Sequence, residues 1–250
     1  MSARAGARAA RAGVRRARFA AWAARLRAEL ARNGGRLVLD APHGARFDDP
    51  PLIKASHDGG AGGALTLRLG RDVDLGRHTV LQVWAGGDSV LELGHGTTLG
   101  QGARLVLRNG AIRLGPSVQV RDVVVLKSDG ELRAGEWVIF GHAAVVAATR
   151  EVALGDRVGL GERVSVIDSD HGADGSDAFY LRQPLRVAPV RLASNVLVGA
   201  NAVILRGTEI GANAVVAAGA VVAGGEHPSG WLIGGVPARP LKALGGTLAR

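Results

Sequence analysis

A chain of 250 residues with 47% hydrophobic content can bury a substantial core, yet it holds 38 glycines and only nine aromatic residues. This composition favours thin, uniform layers that turn often, as in a repeat protein. The absence of cysteine excludes disulfides, cysteine-ligated metals and thiol nucleophiles. Because no apolar run reaches the roughly 20 residues of a membrane-spanning helix, and no signal-peptide core follows the basic start, we expect a soluble, cytoplasmic protein.

The net charge of +9 is concentrated at the N-terminus. Residues 1–33 hold nine arginines and one acidic residue, Glu29, so this segment carries +8 and the remainder about +1. Nucleic-acid binding by a folded domain requires basic residues on that domain. We therefore expect no nucleic-acid partner, and we treat residues 1–35 as a basic arm.

An amphipathic helix is predicted over about residues 8–32, and Asn33-Gly34-Gly35 ends its pattern. The apolar side consists of Phe19, Trp22, Leu26 and Leu30. The helix either packs this side on the main domain or lies on an anionic membrane, since an arginine-rich face opposite Trp and Phe suits a bilayer surface. A targeting peptide and a nucleic-acid-binding arm are the remaining interpretations of residues 1–33.

Aliphatic residues recur every six positions towards the C-terminus, which is the strongest pattern in the chain. They are Leu192, Val198, Ile204, Ile210, Val216 and Val222. Related units place a small residue after the aliphatic one at positions 115, 135, 155, 193 and 211, in steps of 20, 20, 38 and 18. A six-residue unit predicts an all-β solenoid whose coils each contain three short strands joined by tight corners. Weaker coils begin near Leu69.

One step, from position 155 to position 193, exceeds a coil of three hexapeptides by about 20 residues. The excess lies between Val166 and Leu192, in a polar segment that contains two prolines and lacks the six-residue register. The sequence therefore predicts a long loop over about residues 168–190, with His171 at its root. Long loops in compact domains are usually either functional or disordered.

Three segments of the chain form a recognisable set: DSDHG at 168–172, the hexapeptides of 188–222, and GGVPARPLK at 234–242. Together they resemble the hexapeptide-repeat O-acetyltransferases, of the galactoside or maltose type and of the polysaccharide type. The resemblance implies a left-handed parallel β-helix, here residues 36–236, followed by a tail of residues 237–250. It also implies a homotrimer that transfers acetyl from acetyl-CoA to a hydroxyl of a sugar or polysaccharide, without a metal.

The resemblance assigns the role of general base to the loop histidine, here His171. A neutral imidazole can accept the proton of a substrate hydroxyl, whose oxygen then attacks the thioester directly, with no acyl-enzyme. Asp168 or Asp170 either fixes the tautomer of this imidazole or caps the turn. His142 falls near the acceptor contacts of relatives, and is either a substrate contact or a corner residue of the coil.

The resemblance also implies that the pantetheine arm of acetyl-CoA meets the backbone at Gly199-Ala200 and at Ala218. Arg239 and Lys242 would contact the cofactor's phosphates, unless they are ordinary surface charges. The chain departs from the family pattern in three places. They are Leu197 in place of a tryptophan, Ala223 in place of a threonine, and a turn over residues 223–235 that is one residue longer.

Three other functions compete with O-acetylation. A zinc hydratase of the same fold needs three histidines, two of them close in sequence, whereas His142 and His171 are widely separated. We therefore expect no metal site. A non-catalytic solenoid would have unbroken hexapeptides where this chain has its loop. Transfer to an amino group of an amino sugar is the third alternative.

Overall fold

The structure is a computed structural model that describes residues 2–57, 59–60 and 62–245. Met1 of the predicted arm and residues 246–250 of the predicted tail lie outside the described residues. After one N-terminal helix, the chain winds through three parallel faces, which we call A, B and C, in the same order in each coil. The predicted fold class is confirmed: a parallel β-solenoid with one N-terminal helix, consistent with a left-handed β-helix of hexapeptide repeats.

Face A has nine parallel strands. They are β1 (Arg36–Asp40), β3 (Ala64–Leu69), β6 (Ser89–Leu93), β9 (Ala111–Leu114), β12 (Glu131–Ala134), β15 (Glu151–Leu154), β20 (Val190–Leu192), β23 (Thr208–Ile210) and β26 (Gly225–His227). Face C has eight. They are β2 (Leu52–Ser56), β5 (Val80–Trp84), β8 (Arg104–Arg108), β11 (Val125–Ser128), β14 (Val145–Ala148), β17 (Ser165–Ile167), β22 (Val203–Ile204) and β25 (Val221–Val222).

Face B has nine strands, of which the last is antiparallel to its neighbour. They are β4 (Asp74–Leu75), β7 (Thr98–Leu99), β10 (Gln119–Val120), β13 (Ile139–Phe140), β16 (Gly159–Leu160), β21 (Leu197–Val198), β24 (Val215–Val216), β27 (Trp231–Gly235) and β28 (Ala238–Ala243). The strands of face B are short because each hexapeptide reaches its next corner soon after the strand begins. The long loop after β17 contains a hairpin of β18 (Ser169–His171) and β19 (Leu185–Val187).

The register of face A agrees with the predicted coils. Leu132 pairs with Val152 in the next coil, and Val152 pairs with Val190, so the long step falls where the sequence placed it. Leu192 then pairs with Ile210, which matches a coil of three hexapeptides. The solenoid begins earlier than the regular pattern, at β1, because its first coils are longer than three hexapeptides and obscure the six-residue period.

Aliphatic side chains fill the core because alternate strand positions point inward. In the coil of β15 to β17 the buried residues are Val152, Leu154, Val158, Leu160, Val164 and Val166. We name the corners AB, BC and CA after the faces that they join. Asn195, Asn201 and Asn213 occupy corners with φ near +60°, a left-handed conformation that asparagine tolerates well. The stack therefore repeats one corner geometry from coil to coil.

The helix α1 (Ser2–Arg32) covers the N-terminal end of the solenoid. Phe19, Trp22 and Leu26 are buried, and the Trp22 Nε1 donates to the Pro51 carbonyl at 3.0 Å. The helix thus packs on the main domain, as in the first interpretation of the arm. Phe19 and Trp22 therefore face the solenoid and are not available to enter a bilayer. Within the described part of the chain, no helix is long and apolar enough to cross a membrane.

Candidate functional site

The loop leaves the solenoid at a CA corner, directly after β17. Its two ends meet at the neck, which we define as Asp168 and Ala188, where the Ala188 N–H donates to the Asp168 carbonyl at 3.0 Å. Beyond the neck, β18 and β19 pair over three positions as an antiparallel hairpin. A 3₁₀ turn at Tyr180–Arg182 lies at its far end.

Asp168 is completely buried, and its carboxylate accepts three backbone hydrogen bonds from the preceding coil. The donors are the N–H groups of Thr149, Arg150 and Glu151, at 2.7, 2.6 and 2.8 Å. These three N–H groups form the corner that leads into β15, and the buried carboxylate satisfies all of them. The carboxylate therefore closes the corner of the neighbouring coil and does not orient an imidazole.

Asp170 is hydrogen-bonded to the coil that follows the loop, whereas Asp168 is bonded to the coil before it. The Arg206 Nε donates to its Oδ1 at 2.6 Å, and Arg206 lies at the CA corner of the following coil. No hydrogen bond joins Asp168 or Asp170 to the His171 ring among the described residues. The tautomer-fixing role predicted for these two carboxylates is thus not what the geometry shows, since both are held by other partners.

His171 is exposed at the end of β18, opposite Leu185 in the hairpin. Its ring lies edge-on to Tyr180, with centroids 5.6 Å apart and an interplanar angle of 82°. Phe179 contacts Tyr180 in turn, at 5.1 Å, and both aromatic rings are about half exposed. The imidazole can therefore meet a substrate from solvent, beside an apolar aromatic surface that the sequence reasoning did not single out.

The predicted pantetheine contacts lie at BC corners, away from the neck. Ala200 and Ala218 occupy equivalent positions in successive coils, because the Gly219 N–H donates to the Ala200 carbonyl at 2.9 Å. A Cβ on Gly199 would lie 2.5 Å from the Ala218 nitrogen, so only glycine fits there. Neither the Ala200 nor the Ala218 N–H has an acceptor among the described residues. These corners offer backbone donors to a ligand.

One lower BC corner is closed by a side chain. The Gln101 N–H, equivalent to that of Ala200, donates to the Asp122 Oδ1 at 2.8 Å. His142 follows Asp122 in this corner column, with 3.6 Å between its Nδ1 and the Asp122 Oδ2. The column places His142 two coils below Ala200, about 10 Å away. His142 is thus a corner residue that stands beneath the open donors.

Arg239 and Lys242 lie on β28, both exposed. Arg239 pairs with Gly234, and Gly234 lies over Ala217. The backbone of Arg239 is therefore next to the BC corner that contains Ala218. Lys242 pairs with Leu232, further along the strand towards the AB side. The two basic residues are therefore not equivalent with respect to Ala218.

One chain does not bring the loop histidine and the open corner together. His171 projects from the CA corner and Ala200 from the BC corner, which are opposite edges of face C. Leu197, which replaces the family's tryptophan, is 53% exposed on face B, beside Gly159. Ala223 is exposed and its methyl adds no hydrogen-bonding group.

Face A carries a ladder of charges outside the predicted site. Glu151 accepts from Arg191 and from Arg133, each at 2.8 Å. The hydrogen bond from Arg191 is the main cause that holds the pKa of the Glu151 carboxyl below its usual 4.5, and burial opposes it. Ala153 forms the floor of a shallow depression of about 790 Å³ between these arginines. Because these arginines are paired with carboxylates, we interpret the depression as the space between neighbouring side chains of the ladder.

The described residues contain no group of three or more histidine, aspartate or glutamate side chains that could hold a metal ion. The geometry instead combines one exposed imidazole with a separate row of unpaired backbone donors. Such an arrangement can remove a proton and bind a polar, extended ligand.

Residues 189–224 match the family model of the bacterial transferase hexapeptide (six repeats). The predicted hexapeptide repeat is confirmed. A probable acetyltransferase of Mycobacterium tuberculosis is 29% identical over 132 residues, 52% of this chain and 44% of that protein. A 2,3,4,5-tetrahydropyridine-2,6-dicarboxylate N-acetyltransferase of Staphylococcus aureus is 38% identical over 72 residues, 29% of this chain and 30% of that enzyme. The chain thus spans less than half the length of these relatives.

Among solved structures, an N-acyltransferase from Bacillus cereus in complex with dTDP and coenzyme A is similar with a TM-score of 0.48. It is 18% identical, and the alignment covers 60% of this chain and 85% of that one. A maltose O-acetyltransferase from Clostridium difficile is similar with a TM-score of 0.39 and 22% identity, over 61% of this chain and 69% of that one.

Proposed function

We propose that this protein is an acetyl-CoA-dependent acetyltransferase that acts on a hydroxyl of a sugar or polysaccharide. The observation that carries the proposal is the long interruption of the solenoid between β17 and β20, which begins at the buried Asp168 and presents the exposed His171 shortly after it. The hexapeptide repeat and the names of the two relatives, both acetyltransferases, support the reaction class.

In this proposal, His171 accepts the proton of the acceptor hydroxyl as its oxygen attacks the thioester carbonyl. The new C–O bond forms, the C–S bond breaks, and the proton passes to the thiolate of coenzyme A. A positioned general base contributes about 10²- to 10⁴-fold to such a step. The N–H groups of Ala200 and Ala218 would bind amide oxygens of the pantetheine arm, because both have small side chains and free donors.

A homotrimer is part of the proposal, since the two halves of the site lie on opposite edges of face C. Three copies around an axis parallel to the solenoid would bring the His171 of one copy to the BC corner of the next. The outward residues of face C suit burial against other copies. They are Val125, Val145, Ser165, Val203 and Val221 in one row across the sheet.

A cytoplasmic location, with peripheral contact at the inner membrane face, also remains a proposal. Because Phe19 and Trp22 are buried, only the exposed arginines of α1, such as Arg16 and Arg25, would make this contact. They would bind anionic lipid headgroups. Such a contact would weaken steeply with salt, because the buried aromatic residues of α1 are not free to insert.

The decisive experiment measures thiol release from acetyl-CoA with a panel of sugar and glycan acceptors, and includes amino sugars with free amino groups. Mass spectrometry of each product then distinguishes O-acetyl from N-acetyl groups, which decides between the main proposal and the amino-group alternative. His171→Ala should lower kcat about 10²- to 10⁴-fold, with unchanged binding of coenzyme A in calorimetry.

Three results would contradict this proposal. Absence of acceptor-dependent thiol release, together with no binding of coenzyme A, would favour a non-catalytic solenoid. Equal rates for the wild type and His171→Ala would exclude His171 as the base. A sedimentation experiment that found only monomers at the assay concentration would exclude the shared site.

A further inference from the structure

We propose that Arg206 is a positioning residue, which holds the candidate base in place through Asp170. This inference rests on the proposed function and deepens it, because it concerns how the loop that carries the base is fixed to the solenoid. It starts from the hairpin that contains His171. A two-stranded hairpin with three paired positions is at best marginally stable alone, so its orientation depends on its attachments.

The coil before the loop holds the hairpin from one side. Asp168 closes the corner of Thr149 to Glu151 with three hydrogen bonds, and the Ser169 Oγ lies 2.8 Å from the Thr149 Oγ1. These contacts fix the first residues of the loop. They act up to Ser169 and do not reach the strand position that carries the imidazole.

The coil after the loop supplies the opposing attachment. The Gly207 N–H donates to the carbonyls of Ala188 and Pro189, at 3.2 and 3.1 Å, so this corner lies against the neck. Its neighbour Arg206 extends to the Asp170 carboxylate, with 2.6 Å between Nε and Oδ1. The Arg206–Asp170 pair is thus the contact that reaches β18 from above.

Two features indicate that this pair determines the orientation of the His171 side chain. Asp170 lies opposite Arg186 in the hairpin register, yet its carboxylate is bonded to the arginine of the solenoid. Neighbouring residues of a strand point to opposite sides, so a carboxylate held towards Arg206 turns the His171 imidazole the other way, towards Tyr180. The pair therefore selects which side of the hairpin presents the imidazole.

The Arg206–Asp170 pair should matter more for the position of His171 than for the global stability of the protein. The Arg206 side chain is 34% exposed and that of Asp170 is 55% exposed, and such surface pairs add little to global stability. A displacement of about 1 Å at a reacting group, in contrast, lowers rates by up to about 100-fold. Loss of the pair should therefore reduce catalysis far more than it reduces the Tm.

The test compares the wild type with Arg206→Ala, Asp170→Ala, the double variant, Arg206→Lys and the exchange Asp170→Arg with Arg206→Asp. Each single alanine variant should lower kcat about 10- to 100-fold, with unchanged KM for acetyl-CoA and unchanged Tm. The double variant should lose no more than either single variant, because the two residues act as one unit. Arg206→Lys and the charge exchange should each restore part of kcat.

Hydrogen exchange of the amides of residues 169–187 provides a second readout, which should be faster in Arg206→Ala. Arg157→Ala, at an exposed AB corner, is the matched control and should change neither kcat nor exchange. Unchanged kcat and exchange in Arg206→Ala would overturn the proposal, as would additive losses in the double variant. A loss of kcat that follows a lower Tm, as for a merely structural residue, would also overturn it.

Failure of the proposed function gives a different pattern. If the wild type releases no thiol with any acceptor, acetyl transfer is refuted and Arg206 has no catalytic step to serve. The exchange data then decide alone whether the pair holds the hairpin: faster exchange in Arg206→Ala supports the attachment, and equal exchange refutes it.

Discussion

The CA corner below Asp168 and the BC corner at Ala200 have opposite hydrogen-bonding states. In the first, a carboxylate from the following coil accepts three N–H groups. In the second, the equivalent position of the following coil is Ala218, whose methyl group accepts nothing, and the Ala200 N–H has no acceptor among the described residues. The Asp168 corner therefore has an acceptor from the protein itself, whereas the Ala200 N–H stays available to an acceptor from outside the described chain.

The two halves of the candidate site differ in character for the same reason. The closed corner makes a firm base for the loop, which suits the positioning of His171. The open corner leaves donors at a rigid edge, which suits the binding of an extended polar chain. In the proposed function, the loop at the CA corner would carry the chemistry and the BC corner would bind the cofactor.

Opening the closed corner should have the largest effect. Asp168→Ala would leave three N–H groups without their acceptor and a cavity at a fully buried position, so the free energy of unfolding should fall by roughly 3–5 kcal/mol. Asp168→Asn retains one carbonyl oxygen and should lose less. Urea denaturation measures both, and a loss below about 1 kcal/mol for Asp168→Ala would contradict the assignment.

Closing the open corner should abolish the ligand contact. Ala218→Asp would place a carboxylate over the Ala200 N–H, as Asp122 does for Gln101, and should weaken coenzyme A binding about 10-fold or more. Ala212→Asp adds the same charge at the AB corner of the same coil and serves as the control. Calorimetry that shows equal loss in both variants would point to net charge alone and would remove Ala200 from the binding site.

Arg239 and Lys242 should contribute unequally to the binding of coenzyme A. Arg239 lies closer to the Ala218 corner than Lys242 does, because it pairs with Gly234, so Arg239→Ala should weaken coenzyme A binding by about 5-fold and Lys242→Ala by less. Both losses should shrink at high salt, since phosphate contacts are screened. Unchanged affinity and salt dependence in the double variant would exclude both from the site.

The smallest effect should come from face A, far from both corners. The pKa of Glu151 is lowered in the folded state, so its contribution to stability is present above the usual value of 4.5 and disappears as the pH falls through the folded value. Glu151→Gln should therefore cost up to about 1 kcal/mol at pH 7 and less at pH 3. Equal costs at the two pH values, measured by urea denaturation, would show that the ion pairs with Arg133 and Arg191 contribute nothing.

The repeat and the loop could be read from the sequence because both depend on spacing. A buried aliphatic residue every six positions fixes where the coils fall, and the long step between Val152 and Val190 locates the excursion. The early coils could not be read, since their longer turns hide the period before Leu69. The packing of Trp22 on the solenoid was one of several interpretations that composition alone left open.

The site was predictable only in outline. His171 and the small corner residues follow from the resemblance and from position, but the direction of each carboxylate does not. Asp168 and Asp170 are near neighbours in the chain, yet one is bonded to the preceding coil and the other to the following coil. No pattern in the sequence pointed to Arg206, because the contact of this arginine with Asp170 depends on where the loop lies in the folded protein.

At each end of the solenoid, an element departs from the parallel repeat. Open sheet edges and an exposed end of the core would recruit other chains and extend into fibres. The helix α1 covers the first coil, and β28 runs antiparallel to β27, which breaks the parallel repeat at the other end of face B. The basic arm is therefore also a cap, which covers the apolar end of the core with Phe19, Trp22 and Leu26 and presents exposed arginines to solvent.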